Sequence, residues 1–468
     1  MITFIVALVC LLLGYLLYGA FVEKVFGSDP SLPTPCYTHS DGVDYIPMPT
    51  WKVFLIQFLN IAGTGPIFGA IMGILFGPAA YLWIVAGCIF AGAVHDYLSG
   101  MMSLRMGGVS LPEIVGTQLG GAMRITMRVL ALLLMLLVGA VFVTTPAGLL
   151  ATLTPDWGWL GTASFWTAVI FLYYILATVL PINQLIGRIY PLFGLALLIM
   201  AVGVGGGVLC QDGWMPEITE GLSSCHPKGL AVFPMLCITI ACGAISGFHA
   251  TQSPMMARCM KNERLGRPVF YGAMITEGVV ALIWAAAAIK FAGSYEQLAQ
   301  MGNPAVVVNS ICQSWLGTVG SVLAVLGVVA APITSGDTAL RSARLIAADF
   351  MHIGQQRLWS RLLLSLPIFA IAFVLLNIDF NILWRYFAWF NQTLATITLW
   401  AVAVWLVRQR KCFWVPLLPA AFMTVVTGSY ILTAPEGFCL PLSFSILAGL
   451  LFSLFLTGLF FRWFSKQK

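Results

Sequence analysis

The sequence predicts an all-α integral membrane protein whose core consists of two five-helix halves of opposite topology. Composition is the first reason. Of the 468 residues, 60% are hydrophobic and only 9% charged, with a mean hydropathy of +0.95. A soluble domain carries about 25% charged residues, so this chain lacks the polar side chains to cover a water-facing surface. Patterning is the second reason: the apolar residues gather in runs of about 20 without strict alternation, which marks helical spans rather than barrel strands. The third is that two of those runs are interrupted, at matching positions, by residues that break helices.

In chain order the candidate spans run roughly 2–21, 52–76, 78–104, 126–150, 161–180, 187–209, 230–254, 268–292, 314–340, 359–377, 381–406, 413–433 and 441–463, about thirteen in all. Residues 1–22 have no basic stretch before the apolar run and no clear cleavage site, so they are expected to form a retained helix outside the core. Residues 23–50, rich in Pro and Asp, form an ordered cytoplasmic loop. Residues 51–209 make the first five-helix repeat, 210–229 an external loop, 230–406 the second repeat, and 407–468 two further helices.

Lys and Arg set the orientation. Of the 23 basic residues, all but Lys228, Lys290 and Arg385 fall on one set of alternate loops and span ends, from Lys24 and Lys52 through Arg105, Arg124, Arg128, Arg188 and Arg258 to Arg357, Arg408 and Lys468. That side is expected to be cytoplasmic. The N-terminus is then outside and the C-terminus inside, as an odd number of spans requires.

The interruptions carry the functional expectation. The first is "NIAGTGPIFGA", Asn60 to Ala70. At helical rise from Lys52, Asn60 lies about 12 Å into the membrane and Gly65-Pro66 about 20 Å in. Backbone that leaves the helix at that depth survives only where it is buried in protein or faces a polar cavity. The second is "GAISGFHATQSP", Gly243 to Pro254. Counting 52–76 as the first core helix makes 230–254 the sixth and 381–406 the tenth. Five spans per half, each half opening with a broken helix, is the 5+5 inverted repeat of leucine-transporter-like proteins. One glycine cluster alone is explained by close helix packing; two in register point to a substrate site. Asn60, Gly63, Thr64 and Gly65 from the first break, with Ser246, Gly247 and His249 from the second, are the candidates. Half-helix N-termini there supply partial positive charge to an anionic substrate without Lys or Arg.

The eighth core helix carries "PITSGDTALRSAR", Pro332 to Arg344. In the leucine-transporter-like fold the first and eighth core helices form a cation site. Here that means freed carbonyls around Ile61 to Gly63 with Thr334, Ser335, Asp337 and Thr338. An intramembrane carboxylate costs at least about 2.5–3.5 kcal/mol on insertion scales and is usually functional. The plain alternative is a snorkelling carboxylate paired with Arg341 at i+4.

Other residues stay open between two roles. His95-Asp96 is either a proton relay or a hydrogen-bonded pair near the cytoplasmic face. His249 is either a substrate contact or a satisfied core histidine. Glu277 either packs against a hydroxyl or takes part in a cation site, and Glu113 is either a gate or a helix N-terminus. The aromatic run "WRYFAWF", Trp384 to Phe390, reads as an interfacial belt or core before it reads as a lid. Within it Arg385 either pairs with Asp379 or guards an outer vestibule. Cys210 and Cys225 flank one loop and either pair or stay free. The eleven Cys include no CxxC, and HExxH, GxSxG, a Cys/His metal cluster and a nucleotide loop are all absent from the sequence. No enzyme, metal, cofactor or nucleic-acid role is therefore expected. The expected partners are the bilayer and a small-molecule substrate. A membrane nutrient sensor on a transporter fold is the competing reading, and no signalling domain is attached to support it.

Four segments in order, "QFLNIAGTGPIFGA" (57–70), "GCIFAGAVHDYLSGMMSLRMGGVSLPEIVG" (87–116), "ISGFHATQSP" (245–254) and "TSGDTALRSAR" (334–344), resemble the carbon starvation protein A family of bacterial inner-membrane transporters, in a compact form. The resemblance implies membership of the amino acid–polyamine–organocation superfamily. It also implies uptake of pyruvate or of peptides, coupled to H+ or another cation such as Na+. Scarcity of charged side chains in the central spans favours a small carboxylate over a peptide.

Overall fold

The computed structural model describes residues 1–41, 45–179, 186–351, 353 and 358–467, and every regular element among them is helical. Among the described residues, eight helices are long and apolar enough to cross a membrane, or up to ten if each bent pair is one span. The chain is a multi-pass membrane protein. The long elements are α1 (Ile2–Phe26), the bent pair α2 (Thr50–Ile61) and α3 (Gly65–Phe76), α4 (Ala79–Arg105), α5 (Leu111–Leu119), α6 (Gly121–Leu153), α7 (Ala163–Val179) and α8 (Ile186–Cys210). The second half has α9 (Met235–Thr239), α10 (Gly247–Ala257), α11 (Glu263–Ala292), α12 (Pro304–Ala324), α13 (Ala330–Met351), α14 (Leu358–Leu375) and α15 (Phe380–Arg408). Two more follow, α16 (Trp414–Thr433) and α17 (Leu442–Phe464).

Besides the bent pairs at 52–76 and 161–180, three predicted spans do not appear as single long apolar helices. The run 230–254 is divided into α9 and α10. The run 314–340 straddles α12 and α13, which are joined by a π turn at Val325–Val329, and Gly317 within α12 has a φ of 61°. Asp337, Arg341 and Arg344 make α13 too polar to pass as one apolar span. The run 359–377 is the short helix α14. Arg357, Lys468 and the side chain of Arg188, which belong to the charge reading, lie outside the described residues.

Burial separates core from periphery. The most apolar window of α11 is 89% buried, against 28% for α1 and 22% for α17. A helix apolar all round is either buried or faces lipid, and α1 and α17 take the second course. Glycines set the tightest approaches in between. A Cβ at Gly139 of α6 would lie 2.5 Å from Leu340 of α13, and one at Gly336 of α13 would lie 2.1 Å from the Tyr174 hydroxyl of α7.

The two ends of the bundle differ in charge. At one end the Arg105 guanidinium donates from Nε and Nη2 to both Glu263 carboxylate oxygens at 2.9 Å, and from Nη2 to Gly27 O at 2.6 Å. It also lies 4.2 Å from the Phe26 ring centre. Arg258 donates to Gly108 O, Arg408 to Thr117 O and Gln118, and Lys411 to Phe26 O. Glu113 receives Arg128 at 2.7 Å and Arg124 at 3.4 Å, so it sits in a basic cluster at the first turn of α5. At the other end Thr3 N donates to Glu217 at 2.7 Å, Lys290 Nζ to Val208 O at 2.8 Å, and Arg385 Nε to Glu436 at 2.9 Å. Arg385 thus pairs with Glu436. Asp379 is not its partner, because that carboxylate caps α15 by accepting from Asn381 N and Ile382 N. The start of α1 and the end of α17 lie at opposite ends of the bundle, since Arg408 stacks over Trp463 at the basic end.

Removing the Arg105 guanidinium leaves the buried Glu263 carboxylate with a single backbone donor, Asp29 N. Arg105→Ala is expected to cost about 1.5–3 kcal/mol and to lower the thermal unfolding midpoint of the intact protein in detergent. Arg105→Lys should recover only part, because an ammonium cannot form the bidentate fork. An unchanged midpoint in Arg105→Ala would show that this end is held by other contacts.

Candidate functional site

The first break follows from its sequence. Ala62 leaves the helix at φ −89°, ψ 37°, and α3 restarts at Gly65 with Pro66 in its first turn, bent 46° from α2. Proline has no N–H to give and its ring fixes φ, which suits a helix start and opposes continuation from the turn before. In the second break residues 240–246 are non-helical, and α10 restarts at Gly247 after Ser246 in an extended conformation.

The two breaks are packed against each other. A Cβ at Gly65 would lie 2.6 Å from both Cβ and Sγ of Cys242, and one at Gly243 would lie 3.8 Å from Pro66 Cα. Gln57 Nε2 donates to Ser253 Oγ at 3.3 Å across the same junction. Gly247 is tighter still: its Cβ would lie 2.4 Å from Asn391 O and 2.6 Å from Ala395 N of α15. Gly63 is looser, with Phe142 3.4 Å away. Asn60, Thr64, Ser246 and His249 are all buried.

The freed backbone groups of the second break are met by side chains. Trp83 Nε1 donates to Ile240 O at 3.0 Å, and Gln392 Nε2 donates to Cys237 O at 2.5 Å. Asn391 Oδ1 accepts from Phe248 N at 2.6 Å and from Ser246 Oγ at 3.1 Å, so it occupies the N-terminus of α10. The N-terminus of α3 differs. Its Thr64 cap makes no side-chain hydrogen bond, and the buried Thr64 Oγ1 and Asn60 Oδ1 have no hydrogen-bond partner among the described residues. First-turn N–H groups have no intrahelical acceptor, so this end presents donors and unpaired oxygens together.

Beside the second break lies a fully buried chain of titratable groups. Asp96 Oδ1 accepts from His95 Nδ1 and Asp96 Oδ2 from His249 Nδ1, each at 2.8 Å. His249 Nε2 is 3.4 Å from Glu277 Oε2, outside hydrogen-bond geometry, and both Glu277 oxygens lack a hydrogen-bond partner. Cys242, His249 and Glu277 each offer one donor atom, all within 4.8 Å of one another. His249 therefore joins the pair His95-Asp96 to Glu277.

On α13 the hydroxyls of Thr334 and Thr338 donate to Ala331 O at 2.7 Å and Thr334 O at 2.9 Å within their own helix. Ser335 Oγ has no hydrogen-bond partner and lies 3.8 Å from the position of a Gly63 Cβ. Asp337 Oδ2 is 3.5 Å from Arg341 Nη2, which donates to Ala177 O of α7 at 2.9 Å, and Asp337 Oδ1 has no hydrogen-bond partner. Ser335 is the member of this set that reaches the first break beside Ile61 to Gly63; Asp337 is engaged toward Arg341.

The aromatic run is core rather than belt over part of its length: Trp384 is 6.2 Å from Phe68 of α3, and Phe387 is 6.3 Å from Phe142 of α6. Cys210 and Cys225 are both free. Two residues at the breaks, Asn391 and Gln392, are absent from the sequence reading. Their one signal is the polar run Asn391-Gln392-Thr393 inside a 29-residue apolar helix.

The glycines at the first break give a paired test. Gly65→Ala places a methyl 2.6 Å from Cys242, against ordinary contact for Gly63→Ala. Gly65→Ala is therefore expected to force the breaks apart and to lower uptake by tenfold or more, while Gly63→Ala keeps most of it. Radiotracer uptake at matched membrane expression reads this; equal uptake by the two variants would show that the contact does not matter.

Comparison with known proteins adds the lineage. The carbon starvation protein CstA family profile matches residues 1–165, 157–315 and 287–429. An uncharacterized membrane protein of Haemophilus influenzae is 45% identical over 338 residues, 62% of this chain and 91% of its own length. The peptide transporter CstA of Escherichia coli is 26% identical over 90% of this chain and 79% of its own length. The pyruvate/proton symporter BtsT of the same organism is 30% identical over 58% of this chain and 46% of its own length. Among solved structures, a manganese transporter of Eremococcus coleocola superposes with a TM-score of 0.61 at 15% identity, over 89% of this chain and 95% of that one, a likeness of fold.

Proposed function

This chain belongs to the carbon starvation protein CstA family, whose members are transporters, and from that premise we propose that it imports a small carboxylate such as pyruvate together with a cation, by alternating access. The observation that carries the reading is the meeting of two broken helices deep in an apolar bundle, with the unpartnered Asn60 Oδ1 and Thr64 Oγ1 beside the open N-terminus of α3. Half-helix ends of this kind bind anionic groups of substrates in secondary transporters. No Lys or Arg occurs in residues 60–66 or 240–249. A short peptide, the substrate class named for several relatives, needs charged partners at both termini, and Asp96 is already taken by two histidines. The small carboxylate is the better match.

The architecture that goes with this reading is a 5+5 inverted repeat of leucine-transporter-like type, residues 51–209 and 230–406, within about thirteen crossings. The charged ends support an orientation in a bacterial inner membrane with the basic end cytoplasmic, the N-terminus outside and the C-terminus inside. Coupling is assigned to Asp337 with Ser335 and the carbonyls from Ile61 to Gly63. Thr334 and Thr338 stand beside them, and H+ ranks before Na+ on the strength of the symporter relative. A bare carboxylate at membrane depth is costly to enclose, so loading a cation on Asp337 links it to closure of the cytoplasmic side.

The test is uptake into proteoliposomes under an imposed ΔpH and then an imposed Na+ gradient. Pyruvate and a dipeptide are to be compared in each. Wild type should concentrate pyruvate under ΔpH, and Asp337→Asn should lose accumulation while keeping counterflow exchange. Full accumulation by Asp337→Asn under either gradient would move coupling to His95 and Asp96. Accumulation of the dipeptide alone would replace the substrate class.

A further inference from the structure

We propose that Cys242, His249 and Glu277 form a binding site for a divalent transition-metal ion of the Zn2+ type, which ties the second break to α11. The three donor atoms lie within 4.8 Å of one another and all three residues are buried. A tetrahedral ion held by three protein donors would take a water in its fourth position, and at about 2.0–2.3 Å from S, N and O it places those donors about 3.3–3.7 Å apart. His249 Nε2 and Glu277 Oε2 are already 3.4 Å apart; Cys242 Sγ, within 4.8 Å of the other donors, has to close by no more than about 1 Å, within reach of a small side-chain rotation.

Independent observations point to a ligand here. Among the described residues, His249 Nε2 and both Glu277 oxygens are buried without a hydrogen-bond partner, although buried polar groups are nearly always bonded. The other ring nitrogen of His249 is held by Asp96 at 2.8 Å, and Asp96 is steadied in turn by His95 at 2.8 Å. That is the carboxylate–histidine arrangement that orients a metal-binding imidazole and fixes which nitrogen faces the ion. Asn391 Nδ2, 3.4 Å from Cys242 Sγ, stands where it can donate to a thiolate.

The donor set selects the ion. One sulfur, one imidazole and one carboxylate suit Zn2+ and neighbouring transition metals, whereas Mg2+ and Ca2+ take oxygen ligands. A thiolate, a neutral imidazole and a carboxylate around a divalent ion sum to zero charge, and binding releases the Cys242 proton to solvent. A neutral complex is the form that an apolar bundle encloses at least cost. Cys242 lies within the non-helical residues 240–246, His249 in the first turn of α10 after them, and Glu277 on α11. Cys242 also lies against Gly65 of the first break. On the alternating-access reading proposed above, an ion bound to all three fastens the segment that has to move.

The experiment uses the intact protein purified in detergent and stripped with a chelator, with Co2+ as the spectroscopic probe. One equivalent of Co2+ should give tetrahedral d–d bands and a thiolate-to-cobalt charge-transfer band, both removed by Zn2+. Cys242→Ser should lose the charge-transfer band, and Glu277→Gln should weaken Co2+ binding at least tenfold. Cys237→Ser, another buried thiol, should behave as wild type. Zn2+ should raise the unfolding midpoint of wild type and Mg2+ should not. If Cys242→Ser does not fold, Glu277→Gln and Cys237→Ser decide the matter. Absence of a saturable charge-transfer band in wild type, its survival in Cys242→Ser, or undiminished binding by Glu277→Gln overturns the site. Because the readout is binding, it stands whether or not the transport assays succeed.

Discussion

Within a bilayer every backbone N–H and C=O has to find its partner inside the protein, and this chain breaks two of its central helices there. Much of the core follows from that constraint. The second break survives because Trp83 reaches Ile240 O, Gln392 reaches Cys237 O, and Asn391 accepts from Phe248 N. Those three side chains come from α4 and α15, so both helices are tied to the break. Glycine does the complementary work. At Gly65 and Gly247 any side chain would enter the neighbouring segment, so the absence of a Cβ is what lets the breaks touch each other and α15.

The satisfied and unsatisfied groups are unevenly distributed. The N-terminus of α10 is stoppered by Asn391, while the N-terminus of α3 ends among oxygens that have no hydrogen-bond partner. In a low-dielectric interior an unpaired polar atom is expensive, and a bound ligand can complete its bonding. Two such places adjoin here. One lies at Asn60, Thr64 and Ser335 along the first break. The other lies at His249 and Glu277 beside the second, with Asp96 and His95 behind it. A substrate anion and a cation are ligands of opposite need, and the two regions differ accordingly: hydroxyl and amide groups in one, carboxylate, imidazole and thiol in the other.

The ends of the bundle are held by a different kind of interaction. Arg105, Glu263 and Gly27 join α1, α4 and α11 at the basic end, and Arg385 with Glu436 joins α15 to the segment after α16 at the other. Such charge-assisted bonds are strong where one member is buried, as Glu263 is.

The sequence by itself determined the membrane class, the charge difference between the two ends and the position of both breaks. Each of these is a property of a short run: its apolar length, its Lys and Arg, or its Gly and Pro against an apolar background. It also singled out Asn60, Thr64, Ser246, His249, His95, Asp96 and Asp337 as polar residues at membrane depth. Only the tertiary structure decided which of them meet. His249 lies 153 residues from Asp96, and Ser246 lies 145 from Asn391, distances along the chain over which local pattern carries no register. Arg385 illustrates the same limit at short range. Its carboxylate is Glu436 and not the nearby Asp379, because Asp379 is spent on the first N–H groups of α15. Cys242 and Glu277 have no motif spacing at all; packing α11 against a broken helix brings them to His249, and that packing is a three-dimensional fact.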